Sequence, residues 1–129
     1  MSESSIVKNI LDIIEANLHE DLSLDNVASE LNYSKFYINR LFSRKVGCTI
    51  YKYIQTRRLT EAARQLVETE LPIVEIAQEA HYNSQQAFTL AFHQLYLQSP
   101  QVYRKNGVFL PKQSKVVMGL RMLGGKMAA

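Results

Sequence analysis

Two segments of the chain, fifty residues apart, place side chains that can hydrogen-bond to base edges at the spacing of one helix face. The positions predicted to contact bases are Phe36, Asn39 and Arg40 in the first segment, and Gln85, Gln86, Thr89 and Leu90 in the second. Arginine can bind guanine through two hydrogen bonds, and asparagine or glutamine can bind adenine in the same way. Apolar Phe36 and Leu90 can pack against thymine methyl groups. Both segments therefore have the chemistry of a helix that enters a DNA groove.

The charge of the first segment favours a polyanionic partner, whereas that of the second does not. Residues 32–48 carry four basic residues and no acid, and residues 71–99 carry two glutamates and no lysine or arginine. Residues 1–31 are acidic, and residues 100–129 carry six basic residues and no acid. Basic clusters of this kind attract nucleic acid backbones, and solvated surface lysines are the alternative interpretation of the charge alone. The predicted phosphate contacts are Ser34, Lys35, Tyr37, Arg44, Lys45, Ser84 and His93.

Helical periodicity dominates the sequence, and strand signals are poor. Apolar spacing predicts helices over about residues 4–18, 24–31, 35–46, 50–68, 72–80, 84–97 and 100–104. Ser34 has the position of an N-cap, and Gly47 has that of a C-terminal glycine. Asn83 and Gln86 have the spacing of a capping box at the start of the sixth helix. The pattern predicts an all-α fold.

The helices repeat with an offset of about fifty residues. Phe42 matches Phe92 across the repeat, and each copy consists of a short helix, a tight turn and a longer helix. This order is the helix-turn-helix pattern. The turns contain Asn32 and His81, which belong to residue types enriched in the left-handed backbone conformation. The sequence therefore predicts two helix-turn-helix subdomains joined by a long linker helix.

Four regions follow from the order of the helices. The predicted regions are residues 1–48 for the first subdomain, 49–70 for the linker helix, 71–107 for the second subdomain and 108–129 for a basic tail or linker. Periodicity fades in the last region, which contains Pro111 and three glycines. The sequence leaves open whether this region tracks a DNA backbone or leads to a further domain.

The length of 129 residues fits one domain, or two very small subdomains that share a core, and 47% hydrophobic with 21% charged residues is a globular composition. One cysteine, Cys48, excludes an internal disulfide and a cysteine-rich metal site. No apolar run approaches the roughly 20 residues of a membrane span, and the N-terminus lacks the pattern of a secretion signal. We therefore expect a cytoplasmic protein without a membrane partner.

No enzyme site emerges from the remaining reactive side chains. His19, His81 and His93 are far apart, and none has an acid at metal-ligand spacing. Gly124 and Gly125 lack the surrounding motif of a phosphate-binding loop. We expect no catalytic residue, no metal and no cofactor, and we interpret Cys48 as a packing residue.

These residues resemble the AraC/XylS family of bacterial transcription regulators. The stretch LSLDNVASELNYSKFYINRLFSRKVG is similar to the first helix-turn-helix of that family. The stretch RRLTEAARQLVETELPIVEIAQEAHYNSQQAFTLAFHQLYLQSPQVYR is similar to its linker helix, second helix-turn-helix and closing Pro-x-x-Tyr-Arg. The resemblance covers about residues 5–105 and is strongest to the stand-alone activators of the MarA type.

The resemblance implies two homeodomain-like subdomains that read successive major-groove segments about one turn, ~34 Å, apart. It also implies a monomer on an asymmetric double-stranded DNA site and contact with RNA polymerase. The base-contacting positions named above match the two recognition helices of the family. The chain departs from the pattern at Leu90, where arginine is common, at His93 and Gln94, where lysine is common, and at Leu97, which replaces glycine.

Two other readings stay open on the sequence. The uncharged face of the second copy also fits a module that binds a protein, such as RNA polymerase, more strongly than DNA. A more distant reading is an accessory domain of an enzyme. Salt-sensitive binding of a DNA duplex would separate the first reading from both.

Overall fold

The computed structural model describes residues 2–116, and this part of the chain contains seven helices and no strand. The helices are α1 (Glu3–Ala16), α2 (Leu24–Leu31), α3 (Lys35–Val46), α4 (Ile50–Glu68), α5 (Ile73–Glu79), α6 (Gln85–Tyr96) and α7 (Pro100–Asn106). The predicted all-α fold is confirmed. Residues 117–129 lie outside the described residues, and so does that part of the predicted tail.

The described residues divide into two compact units. The first contains residues 2–55 together with Lys115 and Val116, and the second contains residues 56–114. The division falls inside α4, which is one continuous helix. The four predicted regions follow the order of the helices rather than their packing, and they stay a prediction.

The core of the first unit is mainly aliphatic. α1 buries a stripe of isoleucine, leucine and valine, and α3 buries Ile38, Leu41 and Phe42 in the same cluster. Val27 of α2 and Tyr53 of α4 belong to the same cluster, with the Tyr53 ring edge-on to Phe42 at a centroid distance of 5.4 Å. Each fully buried side chain of this size contributes roughly 1.5–3 kcal/mol. This packing leaves one face of α3 outside the core.

The core of the second unit is mainly aromatic. Phe88, Phe92 and Tyr96 recur every four residues along α6, and all three are buried. The Tyr96 ring stacks on the Phe92 ring at a centroid distance of 4.7 Å, and the Tyr103 ring of α7 lies edge-on to Phe92 at a centroid distance of 5.3 Å. Stacked and edge-on aromatic pairs stabilise a core beyond their buried area. The cluster fixes α6 with its polar face outside the core.

Both longer helices of the repeat start at a serine. Ser34 and Ser84 are the N-caps of α3 and α6, and each Oγ accepts the backbone N–H of the third helical residue, at 3.2 and 3.1 Å. The predicted capping box of Asn83 and Gln86 is wrong, because Ser84 supplies the cap and has the extended backbone of an N-cap residue. The N-termini of α3 and α6 are therefore both capped by a serine, and so they are more similar than the sequence predicts.

The turns and helix ends use left-handed backbone at equivalent places. Asn32 and His81 have φ of 60° and 66°, as their residue types predict. Gly47 ends α3 at φ 102°, and Leu97 ends α6 at φ 63°. Glycine tolerates this conformation freely, whereas leucine adopts it only with strain.

The chain after α7 is packed although it has no helix. In the second unit, the Gln113 N–H donates to Thr60 Oγ1 at 3.1 Å. In the first unit, Val116 is 1% exposed and its N–H donates to Tyr53 Oη at 3.0 Å. The sequence pattern predicts only a tail or linker here, whereas residues 108–116 contribute to the packed structure.

Candidate nucleic-acid interface

The face of α3 that points away from the core carries the three residues predicted to contact bases. Phe36 is 74% exposed, Arg40 is exposed and Asn39 is half-buried. The three side chains line one shallow depression, with Leu24, Asp25, Lys35 and Ser43 as the other lining residues. The structure therefore brings the predicted group together on one surface of the first unit.

Three of the four cations of α3 are paired with acids. The pairs are Lys35–Asp25 at 3.3 Å, Arg44–Glu3 at 3.0 Å and Lys45–Glu3 at 3.8 Å. All three pairs are at least partly open to solvent, so each contributes little to stability and is weakened by salt. Within residues 2–116, Arg40 is the α3 cation that has no acid partner. Its guanidinium is free to donate a pair of hydrogen bonds.

Asn39 already makes one hydrogen bond inside the protein. The Ile50 N–H at the start of α4 donates to Asn39 Oδ1 at 3.0 Å. The oxygen therefore faces α4, while the amide also lines the depression on α3. Sequence reasoning missed this contact because the two residues are eleven positions apart and no local motif joins them.

The exposed face of α6 forms the corresponding surface of the second unit. Its lining residues are Gln85, Gln86, Thr89, Leu90 and His93. Leu90 is 63% exposed and Thr89 is half-buried, while Phe88 and Phe92 on the other face are buried. This surface has no lysine, arginine or carboxylate, so amides, a hydroxyl and an apolar side chain dominate it.

The residues predicted to contact phosphates lie at the ends of the two helices. Ser34, Lys35 and Tyr37 lie at the N-terminus of α3, and the basic residues Arg44 and Lys45 lie in its last turn. The N-terminal end of a helix favours phosphate because free N–H groups and the dipole point towards it. In the second unit, Ser84 caps α6 and exposed His93 lies in its last turn. Phosphate contact by these side chains stays a prediction.

Sequence reasoning missed the two acids that face the basic residues of α3. Glu3 lies 41 positions before Arg44, and no sequence pattern links them. Asp25 has the sequence signature of a first-turn acid in α2, and the structure adds its pairing with Lys35. Both acids must release a cation when phosphate competes for it.

Other reactive groups form no second centre in the described part of the chain. No cluster of three or more potential metal ligands occurs among residues 2–116. No helix in this range has both the length and the apolarity to cross a bilayer. Cys48 is half-buried, and burial raises the pKa of its thiol against the opposing charge of Lys52. The thiol is therefore protonated at neutral pH.

Comparison with known sequences assigns the chain to a family. The profile of a helix-turn-helix domain matches residues 27–106. The TetD protein of transposon Tn10 from Escherichia coli is 42% identical over 103 residues, which are 80% of this chain and 75% of TetD. The HTH-type transcriptional activator AarP of Providencia stuartii is 40% identical over 79% of this chain and 76% of AarP. Longer relatives match at 40% identity over only 37% of their length.

Comparison with solved structures agrees with this assignment. An AraC-type transcriptional regulator from Chromobacterium violaceum superposes with a TM-score of 0.75 at 26% identity, over 81% of this chain and 93% of that structure. Sequence profile, relatives and fold point to the same group, as the resemblance implied. The chain belongs to the AraC/XylS family of transcription regulators and carries the helix-turn-helix DNA-binding domain of that family.

Proposed function

We propose that the chain binds double-stranded promoter DNA and reads two adjacent major-groove segments, one with α3 and one with α6. The observation that carries this proposal is the surface of α3, where the unpaired Arg40 guanidinium lies beside the exposed Phe36 ring. A guanidinium of this kind suits guanine, and an exposed aromatic ring suits a thymine methyl group. The Phe36 ring lies outside the core of the first unit and has Lys35 Nζ at 5.8 Å from its centroid.

In this proposal the two units contribute different contacts to DNA. Base contacts come from Phe36, Asn39 and Arg40 in the first unit and from the α6 surface in the second. Phosphate contacts come mainly from the first unit, because the cations of the repeat lie on α3. Ser34, Tyr37, Ser84 and His93 add neutral hydrogen-bond partners at the helix ends.

Transcription activation through RNA polymerase is the finer part of the proposal. It is supported by the similarity to AarP, whose name describes an activator. The internal repeat supports a monomer on DNA, because one chain already supplies two reading helices for an asymmetric site. A chromosomal partner places the protein in the cytoplasm.

The experiment that tests this function is selection of bound duplexes from a random pool at ~150 mM salt. Two enriched blocks about one helical turn apart are expected if both helices read bases. A single block that Arg40→Ala weakens would assign DNA reading to the first unit alone. No enrichment would contradict DNA reading by this chain.

A second candidate function is a protein-interaction module that contacts RNA polymerase and binds DNA weakly. The observation that favours it is the α6 surface, which has no cation and exposes Leu90. Exposed apolar side chains on a neutral surface are common at protein interfaces. Duplex affinity that falls steeply with salt would favour DNA binding over this alternative.

A further inference from the structure

The first turn of α4 depends on a side chain of α3. The first four N–H groups of a helix have no partner within that helix. In α4, Thr49 Oγ1 accepts the Lys52 N–H at 3.1 Å, and Asn39 Oδ1 accepts the Ile50 N–H at 3.0 Å. Because Ile50 is 0% exposed, its N–H would lose its protein acceptor at a buried position if the asparagine were removed.

The internal repeat provides a comparison for this bond within the same chain. At the repeat offset of fifty residues, Asn39 corresponds to Thr89 and Ile50 corresponds to Pro100. Pro100 is the first residue of α7 and has no N–H to donate. The chain therefore has an asparagine in the copy whose next helix starts with a buried N–H, and a threonine in the copy where that N–H does not exist.

The bond also determines which atoms Asn39 can offer to DNA. A backbone N–H only donates, so the amide atom that faces Ile50 must be the oxygen, and the NH₂ group is turned away. Paired recognition of adenine needs both the oxygen and the nitrogen of the amide on the base edge. The oxygen has a second lone pair, but it is turned towards α4, so the NH₂ donors are the atoms left for a base edge. Donors suit the acceptors of guanine, adenine and thymine, whereas cytosine presents a donor in the major groove.

We propose that Asn39 is a positioning residue that ties the recognition helix α3 to the start of α4 and contacts DNA only as a hydrogen-bond donor. The hydrogen bond anchors α3 at the residue before Arg40, so it also fixes the backbone from which the Arg40 side chain extends. The DNA part of this inference rests on the proposed function, whereas the tie between the two helices does not.

A thermodynamic cycle tests the tie. Asn39→Ala is expected to lower the urea midpoint in the wild-type chain and in Ile50→Val, which keeps the N–H and removes one methylene group. In Ile50→Pro, which copies the second unit and removes the N–H, the same change is expected to lower the midpoint by less than half as much. Equal losses in all three backgrounds would overturn the tie.

A second variant keeps this test decisive if Ile50→Pro does not fold. Asn39→Asp retains an acceptor for the Ile50 N–H, and a negative charge is favourable near the start of a helix. It is expected to keep the midpoint close to that of the wild type, whereas Asn39→Ala lowers it. A midpoint for Asn39→Asp as low as that for Asn39→Ala would contradict the tie.

Duplex selection tests the donor-only contact, which a purely structural role would not affect. Beside the guanine assigned to Arg40, the wild type is expected to accept adenine, guanine and thymine and to deplete cytosine. Ile50→Pro releases the oxygen, so adenine is expected to rise about tenfold at that position while the guanine preference stays. Ile50→Val is the matched control and should select the wild-type pattern.

A tenfold adenine preference in the wild type that Asn39→Ala removes would overturn the donor-only contact. If no duplex is enriched by any variant, the proposed function fails and the donor-only contact fails with it. The thermodynamic cycle still decides the tie in that case, because it measures folding and not DNA binding.

Discussion

The two helix-turn-helix units have the same order of helices and turns and differ in the chemistry of the exposed faces of α3 and α6. Ser34 and Ser84 start the longer helix of each copy, and Asn32 and His81 make the turn before it. The exposed face of α3 is cationic, whereas that of α6 has neither lysine nor arginine. The caps and turns therefore match between the two units, while the exposed residues predicted to contact bases differ.

The difference extends to the cores. The first unit packs mainly isoleucine, leucine and valine, and the second packs a chain of aromatic rings along α6 and α7. The helix-turn-helix fold accommodates an aliphatic core and an aromatic core, because in each unit the apolar side chains pack closely between the helices. The comparison teaches that fold similarity between the units does not imply an equal share of the DNA-binding energy.

The largest effect is expected from neutralising the basic residues of the first unit. The joint change of Lys35, Arg44 and Lys45 to Gln should reduce the slope of log affinity against log salt by about 2–3, because each phosphate contact contributes about 0.9. Affinity for one fixed duplex, measured between 50 and 200 mM salt, checks this. As a control, Lys8→Gln removes one positive charge on α1, outside the basic clusters. Equal salt slopes for the two variants would contradict the assignment of phosphate contacts to the basic residues of α3.

A smaller effect is expected from the two equivalent positions Arg40 and Leu90. Arg40→Ala should cost ~1–3 kcal/mol of binding and relax the preference at one base pair. Leu90→Ala removes only an apolar contact and should cost less than about 1 kcal/mol. Competition between single-base variants of the selected duplex measures both. Weakening by Arg40→Ala that is uniform across sequences would make this arginine a phosphate contact instead.

The aromatic core of the second unit predicts a difference at high pH. Burial raises the pKa of Tyr96 to about 12, so the unfolded chain loses its phenol proton first as the pH rises above about 10. The stabilisation is present below that pH and is lost as the pH rises towards 12, by about 1 kcal/mol at pH 11. Tyr96→Phe should remove this loss. Urea unfolding of the wild type and of Tyr96→Phe at pH 7 and pH 11 measures this loss of stability. An equal loss in the two proteins between pH 7 and pH 11 would refute the prediction.

The smallest effect is expected where the two recognition helices end. Leu97→Gly should stabilise the protein by ~0.5–1 kcal/mol, because φ of 63° strains a leucine and suits glycine. The reciprocal change Gly47→Ala should destabilise it, although the added Cβ meets no atom within 4 Å, because φ is 102°. Thermal unfolding of both variants checks the signs. A lower midpoint for Leu97→Gly would count against strain at this helix end.

Local sequence patterns predict most of the fold and much of the candidate surface. Periodicity locates seven helices, and residue types predict the left-handed turns at Asn32 and His81. Local patterns fail at the start of α6, where Ser84 supplies the cap in place of the predicted Asn83, since neighbouring polar residues compete for one N–H.

Contacts between distant residues could not be predicted. The Asn39–Ile50 bond joins two helices, and the Glu3 pairs join residues 41 or more positions apart. These contacts depend on tertiary packing, which a periodic pattern does not specify. They change the interpretation of the surface more than its location, since they engage Asn39, Arg44 and Lys45 in contacts within the protein.

The discontinuity of the first unit has a consequence for its synthesis. Tyr53 and its partner Val116 are 63 positions apart, and all helices of the second unit lie between them. At about 5–20 residues per second, a ribosome makes Val116 about 3–13 s after Tyr53. The first unit must hold its partly formed core during that interval. Its maturation therefore ends only after translation has passed the whole of the second unit.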